Sequence, residues 1–219
     1  RFDAIISVPF KEGKKTYQRI IDNGTPLIFL NDTLEGMSDV DMVAWNAREA
    51  SKTAMNHLIS LGRKEIGFVG WDDGRRMIRA RVEAYRNCLK REGIDLREDW
   101  MRLFPLEADI SNHVVEMFSK KRRPDALFCG LDIYGIQVIG ALEGMGLKVP
   151  EDVAVVGMGN QPGSEFPSIS LSTVNSPNES IGAKAASLAI ELIEQKQSCT
   201  GSRHLLHGDD LVIRRSTSI

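Results

Sequence analysis

The stretch Ala54-Met55-Asn56-His57-Leu58-Ile59-Ser60-Leu61-Gly62-Arg63-Lys64-Glu65-Ile66-Gly67-Phe68-Val69-Gly70 decides the fold. Ala50, Ala54, Leu58 and Leu61 recur at spacings of four, four and three, the signature of one buried helix face. Gly62 supplies the C-cap that ends the helix. Glu65–Gly70 then reads as a short buried strand. The helix after it carries the apolar stripe Ile78, Val82, Tyr85 and Leu89 and stops at Gly93. A helix, a fully apolar strand and another helix imply a parallel sheet covered on both faces.

The same alternation extends in both directions. Asp3–Val8 and Pro26–Asn31 read as strands separated by a helical stretch. Asp109 can cap a helix carrying Val114, Met117 and Phe118. Asp125–Cys129 is a strand, a helix runs from about Ile133 to Met145, and Val153–Gly157 is another strand. After Leu171–Val174 comes a helix burying Ile181, Ala185, Leu188 and Leu192, and Leu211–Arg214 is the last strand. Breaks near Trp71, at Asn175–Pro177 and at Gly208–Asp209 suit a chain that changes lobe there. The expected architecture is α/β: two doubly wound parallel-sheet lobes. Residues 1–70 with 177–207 form the N-terminal lobe and 71–176 with 208–219 the C-terminal one. Ligands of open parallel sheets bind outside the carboxyl ends of strands, so two facing lobes would enclose a site.

Composition narrows the function. A net charge of -2 and a hydrophobic share of 42% describe a globular protein without the basic footprint of a nucleic-acid surface. The densest basic run, Lys120-Lys121-Arg122-Arg123, sits at a helix end, where cations complement the dipole. No apolar run approaches a membrane span, and no membrane partner is expected. Arg1-Phe2-Asp3 opens almost directly into a strand and does not read as a signal peptide. Cys88, Cys129 and Cys199 are odd in number and far apart, which suits free thiols in a reducing cytoplasm.

No catalytic set and no cofactor are expected. Gly157-Met158-Gly159-Asn160-Gln161-Pro162-Gly163 fails as a dinucleotide fingerprint, because Pro162 holds the third glycine position and no helix follows. His204 and His207 lack the second ligand pair a metal needs and read as loop residues. His57 and His113 read as structural or solvated. The doublets Asp72-Asp73 and Asp209-Asp210 read as turns. Arg75, Arg76, Arg79 and Arg81 open the helix after Gly70, with Arg81 beside the apolar stripe. They fit equally a basic helix start and guanidiniums that grip an oxygen-rich ligand.

Several segments resemble the LacI/GalR family of transcription regulators. These are Asn56–Gly70, Arg81-Val82-Glu83-Ala84-Tyr85, Gly146-Leu147-Lys148-Val149-Pro150-Glu151-Asp152-Val153, Leu171-Ser172-Thr173-Val174 and the terminal Leu211-Val212-Ile213-Arg214-Arg215-Ser216-Thr217. The resemblance runs in order from Phe2 to the end. It implies a periplasmic-binding-protein-like fold with three crossovers, homodimerisation and small-molecule control of an operator-binding headpiece. The headpiece, hinge and first strand–helix–strand of the family precede this stretch, so the N-terminal lobe is expected to be incomplete and operator DNA to be met only through that headpiece. By the same resemblance, Phe10, Trp71, Arg75, Arg81, Asp132, Asn160 and Asn175 line the effector site. Ile136, Ile139 and Gly140 belong to the dimer interface. Where relatives carry a ligand-binding aspartate this chain has Gly159, and Leu131-Asp132 and Asn46-Ala47 depart from the family pattern too. The effector is expected to be a sugar, sugar phosphate, purine or organic acid, with the retained arginines favouring an acidic or phosphorylated one. A secreted solute-binding protein is the alternative of the same fold.

Overall fold

The computed structural model describes residues 2–72, 74–208 and 210–218. Residues 1–46 with 177–207 form one compact unit, and 47–176 with 208–219 form the other. The chain therefore passes between units three times.

The first unit is built on a four-stranded parallel sheet, ordered β1 (Ile5–Ser7), β2 (Leu27–Leu30), β3 (Asp41–Trp45) and β9 (Arg203–Leu206). Helix α1 (Lys14–Asp22) links β1 to β2, and its Tyr17 packs with Leu27, Phe29, Met42 and Ala44. Helix α6 (Asn178–Gln195) lies against β1, β2 and β3 and buries Ile181, Ala185, Leu188, Ala189 and Leu192. Asp41 stitches the segment before β9 to β3. Burial pushes its carboxyl up, but hydrogen bonds from the hydroxyls and backbone amides of Thr200 and Ser202 outweigh that and hold it below its ordinary range. His204 thus sits on a strand rather than in the loop expected from the flanking glycines. Pairing with Val43 of a distant segment supplies what local sequence does not.

The second unit carries a six-stranded sheet ordered β10-β8-β7-β6-β4-β5. Its strands are β4 (Ile66–Trp71), β5 (Met101–Phe104), β6 (Ala126–Cys129), β7 (Ala154–Gly159), β8 (Ser172–Asn175) and β10 (Leu211–Val212). All pairs are parallel except β10 with β8. Phe68, Phe128 and Tyr85 pack on one face of this sheet, which α2 (Ala47–Ser60) and α3 (Arg76–Arg91) cover. The other face packs Val69, Leu127 and Val155 against α4 (Ser111–Phe118) and α5 (Asp132–Gly144).

Three sequence expectations need correction here. The first boundary falls between Asn46 and Ala47, not after residue 70, because β4 pairs with β5 and β6 and α2 packs on α3 and β7. Those partners lie far along the chain and leave no local mark. Asp109 is not the cap itself: the residue before α4 is Ile110, although the Asp109 carboxylate still accepts the Ser111 amide at 2.9 Å. Ile139 is 0% exposed and belongs to the hydrophobic core with Val138 and Leu142, so it cannot form part of a docking surface. Asp73 and Asp209, half of each carboxylate doublet, lie outside the described residues. Asp72 accepts the Gly74 amide at 2.9 Å, as a turn residue does.

The C-terminal segment Arg214–Ser218 is tied into this unit by hydroxyls. Ser216 Oγ donates to the Val155 carbonyl at 2.6 Å, and Thr217 Oγ1 lies 2.7 Å from Ser172 Oγ and 2.8 Å from His57 Nε2. Burial lowers the His57 pKa, which favours the neutral ring in this chain of hydroxyls.

Candidate functional site

In the second unit, β4 comes first in sequence yet lies inside the sheet, with β5 on one side and β6 on the other. The loops leaving β4 and β6 therefore run to opposite faces. This is the topological switch point, where an open parallel sheet leaves a crevice at the carboxyl ends of its strands. The residues found there come from three stretches of sequence: Trp71 ends β4 and Arg81 follows on α3, Gly130 follows β6 and Asp132 begins α5, and Asn160 follows β7.

Arg81 is the centre of the group. Turns of α3 bury Ile78, Arg81, Tyr85 and Leu89 on one face, so helical periodicity delivers a guanidinium where an apolar residue would be expected. Arg81 is only 3% exposed. Its Nη1 donates to the Gly130 carbonyl, and its guanidinium carbon lies 4.7 Å from the centre of the Trp71 ring. Burial pulls its pKa down to about 9, while the Asp132 carboxylate opposes the loss of charge. A guanidinium stacked on an indole and bonded to a carbonyl is held in one orientation.

Asp132 is 0% exposed and stands in the first turn of α5, where a negative charge meets the positive end of the helix dipole. Its Oδ1 accepts the Thr173 hydroxyl and its Oδ2 the Gln161 amide, both at 2.6 Å. Burial raises its pKa; the bonds from Thr173 and Gln161, then the charges of Arg214 and Arg81, pull the other way. Gly157 of β7 lies directly beneath this carboxylate. A Cβ there would overlap Asp132 Oδ1 and come within 2.9 Å of Leu171 Cδ2. Asp132 thus organises the edge: it holds the turn after β7 at Gln161 and the end of β8 through Thr173.

Asn160 is exposed and has a left-handed φ of 50°. Its backbone amide donates to Thr173 Oγ1 at 3.2 Å, and its side-chain nitrogen to Asn175 Oδ1 at 3.3 Å. Gly159, with φ +123°, leaves space that the Gln161 carboxamide fills, 3.1 Å from where a Cβ would stand. An aspartate at 159 would need both a different backbone and a displaced Gln161.

Of the seven residues expected to line a site, six therefore lie in the second unit. Trp71, Asp132, Asn160 and Asn175 stand at or just after the carboxyl ends of its strands, Arg81 reaches Gly130 there from α3, and Arg75 is the N-cap residue of α3. Phe10 lies in the first unit, 55% exposed, its ring 5.5 Å from that of Tyr17. Thr173, Gln161, Gly130 and Arg214 escaped the sequence reading. The signal for Thr173 was present, a hydroxyl in the short strand that also supplies Asn175. Gly130 contributes only a backbone oxygen, which no side-chain pattern announces. Among the described residues no group of three or more His, Cys, Asp or Glu could hold a metal ion, and no helix is long and apolar enough to cross a membrane.

Comparison with known proteins gives the lineage. The model of the periplasmic binding protein-like domain matches residues 55–217. The HTH-type transcriptional regulator EndR of Paenibacillus polymyxa is 28% identical over 198 residues, 89% of this chain and 58% of that protein. The HTH-type transcriptional repressor PurR of Yersinia enterocolitica is 30% identical over 158 residues, 72% of this chain and 46% of the repressor. The chain thus spans about half the length of these relatives. The structure of a transcriptional regulator LacI from Bacillus cereus subsp. cytotoxis superposes with a TM-score of 0.85 at 25% identity, covering 98% of this chain and 76% of that one. The matched residues include β4, β6, β7 and β8, which carry the switch point, and the chain belongs to the periplasmic binding protein-like domain family, with transcription regulators of the LacI type among the proteins it is similar to.

Proposed function

We propose that this chain is the effector-binding and dimerisation part of a cytoplasmic transcription repressor, whose operator is met by a separate headpiece. The observation that carries the reading is the fixed polar group at the switch point: Arg81 on Trp71 and Gly130, with Asp132, Thr173 and Asn160 bonded behind it. Such a group is buried and oriented at some cost in desolvation, and the carboxyl end of a parallel sheet is where that cost serves ligand recognition. The names of the relatives support a regulator over a solute-binding protein, and also over an enzyme. The effector is a small molecule rich in oxygen acceptors: a sugar phosphate, organic acid, purine or sugar. A thermal-shift screen of citrate, glucose 6-phosphate, hypoxanthine and cellobiose tests this. A true effector at ~100 times its dissociation constant adds about 2.7 kcal/mol to stability. A chain that none of these, nor a wider panel of the same classes, stabilises would not be an effector domain.

The homodimer is proposed to form through the outer face of α5. Ile133 is 49% exposed, Gly140 is exposed and Ile136 is half-buried, and on the loop after β7 Phe166 is 59% exposed. Ile136 Cδ1 lies 3.6 Å from where a Cβ of Gly163 would stand, so the helix and loop share a surface. Two-fold symmetry sets such a patch against its own copy. Ile133→Asp is expected to shift sedimentation from dimer to monomer while leaving the circular dichroism spectrum unchanged. A dimer that persists in this variant would place the interface elsewhere.

A further inference from the structure

Arg214, outside the residues expected to bind effector, is anchored by four hydrogen bonds from its own atoms. Its backbone amide donates to Ser172 Oγ at 2.8 Å. Its Nη1 donates to the Leu171 carbonyl at 2.7 Å and Ser164 Oγ at 3.4 Å, and its Nη2 to Asn160 Oδ1 at 2.8 Å. The last bond has a consequence for polarity. A guanidinium can only donate, so the Asn160 side chain must turn its oxygen to Arg214 and its nitrogen away. That nitrogen meets Asn175 Oδ1 at 3.3 Å, which in turn sends the Asn175 nitrogen outward from the pair. Among the described residues Asn175 is half-buried at the carboxyl end of β8.

We propose that Arg214 is a positioning residue that sets the direction of this two-amide relay, so that this end of the sheet presents N–H donors and selects ligands by their acceptor oxygens. The inference rests on the effector-site reading above and deepens it: the ligand edge meeting β8 carries carboxylate, phosphate or carbonyl oxygen. Without Arg214 either asparagine can rotate, and the site loses its preference between donors and acceptors. A lysine keeps the donor-only character; a methionine removes it.

The test follows the side-chain amide signals of Asn160 and Asn175 by ¹H–¹⁵N NMR, assigned by substitution. In the parent, the Asn160 amide proton bonded to Asn175 is expected to exchange with solvent more slowly than the other proton of that amide. Arg214→Met is expected to speed that exchange at least tenfold and to shift both asparagine signals, and Arg214→Lys to restore most of the parent pattern. Because Arg214 also anchors the C-terminal segment, Asn160→Gly serves as a second variant. Glycine accepts the left-handed backbone, leaves the Arg214 bonds to Ser172, Leu171 and Ser164 in place and cuts the relay, so the Asn175 amide is expected to lose its order. Asparagine signals indistinguishable from the parent in Arg214→Met, or an Asn175 amide unmoved by Asn160→Gly, would overturn the proposal. Titration of the parent with citrate and glucose 6-phosphate, read on the Asn175 signal, separates the two readings. If neither these nor the screened compounds bind, the effector reading fails, while the amide signals still decide the role of Arg214.

Discussion

Arg81→Ala is expected to lower both thermal stability and effector affinity, each by a large amount. In the parent the guanidinium lies on Trp71, donates to the Gly130 carbonyl and neutralises part of the field at Asp132. Truncation opens a cavity beside Trp71 and leaves a buried carboxylate with less compensation. Loss of one partner of a buried charge pair costs about 3–5 kcal/mol. Arg214 remains near Asp132 and softens the loss, so the lower end, about 3 kcal/mol, is the expected figure. For a chain of this size, that corresponds to a fall in Tm of roughly 6–12 °C. Affinity should drop by about tenfold to a hundredfold, since charge-assisted hydrogen bonds contribute about 1.5–3 kcal/mol each. Arg81→Lys should recover little of either, because an ammonium reproduces neither the planar fork nor the stack. Calorimetry with a compound identified by the thermal screen separates the two roles. Unchanged melting would show that Arg81 does not organise the switch point, and unchanged affinity in a folded variant would remove it from the effector site.

Gly157→Ala is the second large effect, and it tests the geometry without any ligand. A single methyl at 157 would occupy the place of the Asp132 carboxylate and press on Leu171. The position is fully interior to β7, flanked by β6 and β8, so the backbone cannot retreat. Overpacking of this kind costs about 1–3 kcal/mol. Displacing the carboxylate also breaks its bonds from Thr173 and Gln161, at about 1–3 kcal/mol for groups left buried without a partner. The expected outcome is a chain whose denaturation midpoint falls sharply and whose Gln161 amide loses protection from hydrogen exchange. Neighbouring residues are coupled, so in Gly157→Ala/Asp132→Ala the two losses should be less than additive. Additive losses would show that the methyl and the carboxylate do not compete for the same space.

The class of the fold was legible in the sequence because its cause is local and periodic. Glu65–Gly70, a short apolar run between two helices, reads as a buried strand, and the stripes of α2 and α3 recur at helical spacing. The place of Arg81 beside an apolar stripe was legible for the same reason, whereas its role at a site came only from the family resemblance. Pairing between distant segments was not. The chain changes unit at Asn46 rather than after residue 70 because β4 finds partners in β5 and β6, thirty or more residues ahead of its start. β5 and β9 are not legible because each is short and only partly buried, and β3, although buried, begins with Asp41, whose partners Thr200 and Ser202 lie far along the chain. Ile139 was assigned to the wrong face because α5 is apolar nearly all round, with Ile133, Tyr134, Ile136, Val138, Ile139 and Leu142 leaving periodicity no side to choose. The sequence by itself determined the helices, most of the strands and the place of an arginine beside a buried stripe, since backbone periodicity and side-chain polarity act over a few residues. Only the tertiary structure decided that Arg81 meets Gly130, that Asp132 is committed to Thr173 and Gln161, and that Arg214 reaches Asn160, because those bonds join strand ends that come together only when the sheet does.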